Sequence, residues 1–141
     1  MSGARMSAAA VQQVIDRMPF ARSLGIAIVD VDSRLQTRMP YAETVVGNPR
    51  VPALHGGALA SLMQIAAAAE LIRVTGAAAR PPRMFSITAE YLRSAVLEDT
   101  LATAAVISRS RRFANLRVEL RQASSAERAI AAATVQFRLV D

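Results

Sequence analysis

The sequence predicts an α+β fold in which an antiparallel sheet curls around one long buried helix. Three observations lead to this prediction. The run ALASLMQIAAAAELIRV, which follows Gly57, is rich in helix-forming residues and apolar on nearly every side, so a helix formed there must be enclosed by other elements. Strand-like runs occur both before and after this helix. The links between the last strands are short, which favours antiparallel hairpins.

A short amphipathic helix, two strands and a loop are predicted before the central helix. Apolar residues recur at helical spacing over residues 8–17, and this helix is predicted to end near Pro19. The β-branched run 24–31 is long enough for a buried strand. Residues 34–41 alternate between apolar and polar side chains, as in a half-exposed strand. The glycine and prolines within residues 42–54 predict a loop.

Four further strands are predicted after the central helix, over residues 83–93, 100–108, 113–122 and 128–140. In the third of these runs, Leu116, Val118 and Leu120 alternate with polar side chains. One face of that strand is therefore expected to pack on the core and the other to face solvent.

The composition indicates a globular domain. Of 141 residues, 52% are hydrophobic and 20% are charged, which is too apolar for a disordered chain. Polar side chains interrupt the longest apolar run before it reaches the roughly 18 residues of a membrane span, and the first residues lack the apolar core of a signal peptide. We expect one cytoplasmic domain over residues 1–141, without a membrane partner, in which residues 1–19 form an N-terminal segment with a short helix.

The charge distribution and the cysteine and histidine content argue against several classes of function. The net charge is +6, but the basic residues are scattered and aromatic residues make up only 4% of the chain. A base-stacking surface is hard to build from so few aromatics, so no nucleic acid partner is expected. Without cysteine and with one histidine, neither a disulfide nor a metal site is expected. A basic surface still suits an acidic small molecule.

Three motifs carry a family resemblance. They are GNPRVPALHGGALASLM at 47–63, ITAEYLRSA at 87–95 and SRSRRFANLRVEL at 108–120. In this order of elements they resemble the hotdog-fold acyl-CoA thioesterases, in the branch of the phenylacetyl-CoA and 4-hydroxybenzoyl-CoA enzymes. The resemblance runs from about Phe20 to Val140. It implies a hotdog fold, an acyl-CoA substrate that itself contains the coenzyme A, and no separate cofactor.

The histidine–glycine–glycine sequence stands where the central helix begins. Backbone N–H groups at a helix N-terminus suit the negative charge that a thioester oxygen gains during hydrolysis, and glycine lets a substrate approach the backbone closely. The resemblance implies that Gly56 donates to that oxygen, that Gly57 lies against the substrate, and that His55 fixes the loop and lines the pocket. Alternatively, His55 is a hydrogen-bonded loop residue and the glycines form a tight turn. Asn48 is either a substrate neighbour, as in relatives, or a turn-forming residue before proline.

The catalytic carboxylate of the family is missing. Active relatives carry Asp or Glu nine residues after the histidine, whereas this chain has Gln64. An amide can orient a water molecule but cannot accept a proton near neutral pH. Ser61 and Ala68 share the helical face of Gln64, and Ala68 replaces a hydroxyl that often supports the base in relatives. Glu70 is expected to pair with Arg73 near the helix end and not to replace the missing base.

Arginines are candidates for coenzyme A phosphates. Arg93, Arg111 and Arg112, with Arg109 beside them in the chain, occupy positions at which similar proteins contact those phosphates. The planar guanidinium can donate two hydrogen bonds to one phosphate. The alternative is that these arginines are simply solvated beside turns.

Three functional hypotheses follow from the sequence. The first is a slow thioesterase in which Gln64 orients water. The second is a catalytically silent acyl-CoA binding module, or one subunit of a thioesterase whose related partner chain keeps the carboxylate. The third is a hotdog dehydratase, which would need a carboxylate opposite His55. The resemblance implies assembly as a homodimer or homotetramer with the site between chains, in which one subunit gives the helix N-terminus and the other the residue at the position of the carboxylate.

Overall fold

The structure, a computed structural model, describes residues 5–48, 51–76 and 82–139. The helices are α1 (Ala8–Ile15), α2 (Pro19–Leu24) and α3 (Gly56–Thr75), and the strands are β1 (Ala27–Val31), β2 (Arg34–Met39), β3 (Val46–Asn48), β4 (Val51–Leu54), β5 (Arg83–Tyr91), β6 (Thr100–Arg109), β7 (Phe113–Arg121) and β8 (Ala131–Arg138). Six strands form one antiparallel sheet in the order β1-β2-β6-β7-β8-β5. This sheet wraps α3, which confirms the predicted α+β fold.

Helix α3 forms the centre of the core. Twelve of its 20 residues are buried, and it packs against β2, β5, β6, β7 and β8. Its length and apolar character would also suit a membrane span, but 61% of its most apolar window is buried inside the fold. Gly76 ends it with a φ of 69°, a left-handed conformation that glycine adopts without steric cost. α3 is therefore a core helix.

Strand β7 supplies much of the surface on which α3 lies. Leu116, Val118 and Leu120 are each fully buried, while Arg117 on the opposite face is exposed and lies 3.7 Å from Glu90 in a surface ion pair. Both links after β6 and β7 join antiparallel neighbours. The alternation and the hairpins predicted from the sequence are confirmed.

The prediction near Pro19 was wrong in one respect. Helix α1 ends at Ile15, and Pro19 begins a second helix that runs to Leu24. Proline is tolerated at the first helical position because its missing N–H would have no intrahelical partner there. Gly25, with a φ of 68°, terminates α2. The first strand consequently begins at Ala27 and is shorter than the predicted run 24–31.

The prediction of a loop over residues 42–54 was also wrong. This stretch contains a 3₁₀ turn at Glu43–Val45 and the two-stranded sheet of β3 and β4. Its strands are held from outside the stretch, because the Leu54 N–H donates to the Ala95 carbonyl at 3.0 Å. Gly47 and Pro52 lie within these strands, and a long-range bond such as that between Leu54 and Ala95 leaves no local pattern in the sequence.

Candidate active site

His55 caps the N-terminus of α3. Its Nδ1 accepts a hydrogen bond from the Gly57 N–H at 2.8 Å, so a neutral ring carries its hydrogen on Nε2. The His55 backbone N–H donates to the Val45 carbonyl at 2.6 Å. Gly47 lies against the histidine, since a Cβ built there would be 3.2 Å from the His55 Cα. The 3₁₀ turn, through Val45, and β3, through Gly47, thus hold His55 in its capping position at the start of the helix.

Tyr91, the last residue of β5, also reaches this turn. Its hydroxyl donates to the Gly56 carbonyl at 2.9 Å across 35 residues of sequence. The predictions from sequence did not include Tyr91 as a site residue. Its position in the EYLRSA motif, directly before Arg93, was the available signal, but only the fold shows that the end of β5 meets the start of α3.

The two glycines of the turn differ in what surrounds them. A Cβ at Gly57 would lie 3.0 Å from His55 Nδ1, whereas the nearest atoms to a Cβ at Gly56 would be those of the Tyr91 ring and hydroxyl, at 3.8 Å. Within the described parts of the chain, the Gly56 N–H has no hydrogen-bond acceptor. It is therefore an open donor at the positive end of the α3 dipole, a position that favours an anionic oxygen.

One face of the first half of α3 stays open, and we name it the open face. It consists of Gly57, Ala60, Ser61 and Gln64, which are exposed or half-buried. Ser61 donates from Oγ to the Gly57 carbonyl at 2.9 Å. The Gln64 amide makes no hydrogen bond to any described residue, so its oxygen and nitrogen are both available.

Ala68 lies one turn beyond Gln64 on the same side of the helix and is only 3% exposed. The structure therefore brings His55, Gly56, Gly57, Ser61 and Gln64 together along an accessible surface, and it places Ala68 at the buried end of that row. Asn48 is in β3, paired with Val51 and Ala53 in the hairpin that precedes the cap.

Glu70 is occupied elsewhere on α3. It forms a buried ion pair with Arg73, in which Arg73 Nη2 donates to Glu70 Oε2 at 2.7 Å. This is the pairing predicted from the sequence. Over residues 5–48, 51–76 and 82–139, no group of three or more acidic or histidine side chains is placed to hold a metal ion.

The arginines lie at opposite ends of the sheet. Arg93 follows β5 and lines a cavity of about 550 Å³ together with Ser124, Glu127 and Arg128. Arg111 and Arg112 lie in the β6–β7 turn, at the end where Phe113, Arg138 and Arg83 are aligned. Because β5 has nine residues, the two ends of the sheet are about 30 Å apart in one chain. Arg128 was not among the predicted residues.

Comparison with known proteins identifies the family. Residues 47–138 match the family model of the acyl-CoA thioesterase N-terminal domain. The chain belongs to this family. The matched part of this acyl-CoA thioesterase domain contains the cap, α3, the open face and all strands from β5 to β8. No curated protein matches the sequence significantly.

Solved structures share the fold of this acyl-CoA thioesterase family member. A thioesterase-superfamily protein from Bordetella bronchiseptica has a TM-score of 0.85 at 22% identity, covering 94% of this chain and 98% of its own. A phenylacetic acid degradation-related protein from Ralstonia eutropha has a TM-score of 0.74 at 22% identity over 86% and 90% of the two chains. Thioesterase HI1161 from Haemophilus influenzae has a TM-score of 0.73 at 17% identity over 93% and 90%. At these identities the likeness establishes the hotdog thioesterase fold.

Proposed function

We propose that this protein is a cytoplasmic acyl-CoA thioesterase of the phenylacetyl-CoA type that hydrolyses its substrate at the N-terminus of α3. The observation that carries the proposal is the Gly56 N–H, which points from a capped helix end and has no acceptor in the described residues. In hydrolysis the thioester oxygen becomes an anion, and a fixed backbone donor at that place stabilises the transition state. The description of the Ralstonia neighbour supports the phenylacetyl-CoA branch.

The absence of a side chain at Gly56 supports the same role. Gly56 is not among the glycines with positive φ, and a Cβ there would have ordinary contacts only, at 3.8 Å. Neither backbone conformation nor internal packing therefore demands glycine at this position. A substrate that must approach the turn closely does demand it, and this requirement comes from outside the chain.

Gln64 determines how this protein can activate water without the carboxylate of the family. Its free amide stands eight residues, about 12 Å, along α3 from the Gly56 donor of the same chain. A Gln64 that serves a thioester held at Gly56 would therefore be that of the second copy in a dimer, as the family resemblance implies. An amide oxygen there can accept a hydrogen bond from a water and orient it toward the thioester carbon, but it cannot remove a proton. Loss of a general base typically costs about two to four orders of magnitude in rate. We therefore assign a slow hydrolysis to the wild-type protein.

The sheet edge at β5 supports assembly into dimers. β5 pairs with β8 on one side only and ends the six-stranded sheet. A nine-residue edge strand with free backbone groups is normally covered in native proteins. Antiparallel pairing of two β5 strands would place the β6–β7 turn of a second copy near Tyr91 and Arg93 of the first. Each site would then draw on both chains, and pairs of dimers would give the tetramer.

The cavity beside Arg93 suits the phosphates of coenzyme A. Neither Arg93 nor Arg128 has a carboxylate partner within ion-pair distance among the described residues, although Glu127 shares the lining. Guanidinium groups that are not neutralised by a carboxylate can bind phosphate by paired hydrogen bonds. In a dimer, Arg111 and Arg112 of the second copy would add to this charge.

A second candidate function is an acyl-CoA binding module or the silent subunit of a mixed assembly. The observation that favours it is the open face itself, which carries a serine and a glutamine but no carboxylate. Such a chain would bind the thioester at Gly56 and leave hydrolysis to a related chain that retains the base.

Substitution of Gln64 separates the two functions. Wild type, Gln64→Asp and Gln64→Glu are compared on a panel of aryl and short-chain acyl-CoAs with detection of the free thiol. If only the base is missing, a carboxylate should raise turnover about tenfold or more with a smaller change in KM. Ser61→Asp, which puts a carboxylate on the same face one turn earlier, is the control and should give no such gain. Binding without hydrolysis in all variants would favour the silent module.

A further inference from the structure

The peptide group between Gly56 and Gly57 is held at both of its polar atoms by side chains. Its carbonyl oxygen accepts from the Tyr91 hydroxyl at 2.9 Å, and its N–H donates to His55 Nδ1 at 2.8 Å. The two side chains come from different elements, one from the last residue of β5 and the other from the residue before α3. We name this arrangement the peptide clamp.

Such a clamp has a purpose because two adjacent glycines leave the backbone of the turn conformationally flexible. Glycine has a far wider choice of backbone angles than other residues, so the sequence feature that admits a substrate also loosens the donor. The Gly56 N–H belongs to the preceding peptide, and the two peptide planes meet at the Gly56 Cα. Fixing one plane therefore restricts the direction in which the Gly56 N–H points.

We propose that Tyr91 is a positioning residue that holds the Gly56 amide in the orientation required to stabilise a thioester oxyanion. This inference rests on the proposed thioesterase function. Tyr91 is 52% exposed in the single chain, so burial in the core of that chain does not explain its position. An oxyanion donor is effective when its direction is fixed before the charge develops, because no reorganisation is then needed.

The ring and the hydroxyl of Tyr91 have separate roles. The ring stands beside Gly56, where a built Cβ would lie 3.8 Å from it, and so forms a wall at the turn. The hydrogen bond to the Gly56 carbonyl comes from the Tyr91 hydroxyl and does not involve the ring. Tyr91→Phe removes the bond and keeps the wall, which makes it the informative substitution.

Tyr91→Phe should lower kcat about three- to tenfold, the loss expected for one hydrogen bond of ordinary strength. KM should stay within about twofold, since the oriented donor serves the transition state more than the ground state. Tyr41→Phe is the matched control, because Tyr41 is the other tyrosine of the chain and its hydroxyl makes no hydrogen bond to the described residues. It should leave both constants unchanged.

The amide signals of Gly56 and Gly57 in NMR spectra test the clamp without reference to activity. Tyr91→Phe should shift both signals and speed the hydrogen exchange of the Gly57 amide, whereas Tyr41→Phe should not. Unchanged signals in Tyr91→Phe would overturn the inference, and so would an unchanged kcat. A wild type that hydrolyses no thioester would refute the proposed function and with it the catalytic part of the inference, while the signals would still decide whether the clamp exists.

Discussion

At the scale of single residues, His55 and Gly57 depend on each other. The histidine ring occupies the space that a side chain at position 57 would need, since a Cβ there would lie 3.0 Å from Nδ1. Gly57 in turn supplies the N–H that the ring caps. The sequence left open whether His55 takes part in catalysis or only stabilises the loop through a hydrogen bond. The structure shows a capping contact, a role that residue type alone could not reveal because histidine is an unusual N-cap.

Substitution of His55 tests whether the ring acts only through this cap. His55→Ala should lower the free energy of unfolding by about 1 kcal/mol, the usual value of an N-cap, and should reduce turnover because the turn loosens. His55→Asn retains a capping acceptor and should keep most of both. Chemical denaturation and the thiol-release assay measure the two effects. A His55→Asn protein with normal stability and the turnover of His55→Ala would show that the ring contributes more than a cap.

At the scale of elements, periodic patterns predicted well and long-range contacts did not. The apolar run of α3 and the alternation of β7 predicted buried elements because their own side chains must leave water. The strands β3 and β4 pair with each other, but they were missed because the glycine and prolines of this stretch are typical of loops and because the bond from the Leu54 N–H to the distant Ala95 carbonyl leaves no local pattern. The sequence does not predict the start of α2 because a proline can both follow the end of one helix and begin the next, and Pro19 begins one here.

In the candidate site, too, residues on one helix could be predicted from the sequence and a long-range contact could not. Ser61 and Gln64 could be placed on one face from the sequence because they are neighbours at helical spacing, and Gly56 was proposed from the histidine–glycine–glycine motif and the family resemblance. Tyr91 could not be identified in this way, because it contacts Gly56 only in the folded protein, where the end of β5 lies beside the start of α3. A constellation that spans 35 residues depends on tertiary structure, which spacing does not encode.

At the scale of the whole molecule, the free edge of β5 predicts that the protein does not remain a monomer. Its mass is 15.1 kDa, and we expect a particle of about two or four times that mass, in keeping with closed symmetric assemblies. Light scattering at micromolar concentration measures it. A particle with the mass of one chain would contradict a site shared between two copies.

The most direct test of the account is the Gly56→Val protein, because the central claim is that the Gly56 turn receives the thioester oxygen. The nearest atoms to a Cβ at position 56 are those of the Tyr91 ring and hydroxyl, at 3.8 Å, and Gly56 does not have a positive φ, so the protein should fold and unfold nearly as wild type does. Turnover of acyl-CoA should fall about 100-fold or more, because the added side chain keeps the thioester oxygen away from the Gly56 N–H and so forfeits the stabilisation that one oxyanion donor gives. Calorimetric titration should show weakened acyl-CoA binding. A folded Gly56→Val protein with unchanged affinity and turnover would contradict the claim and remove the active site from this turn.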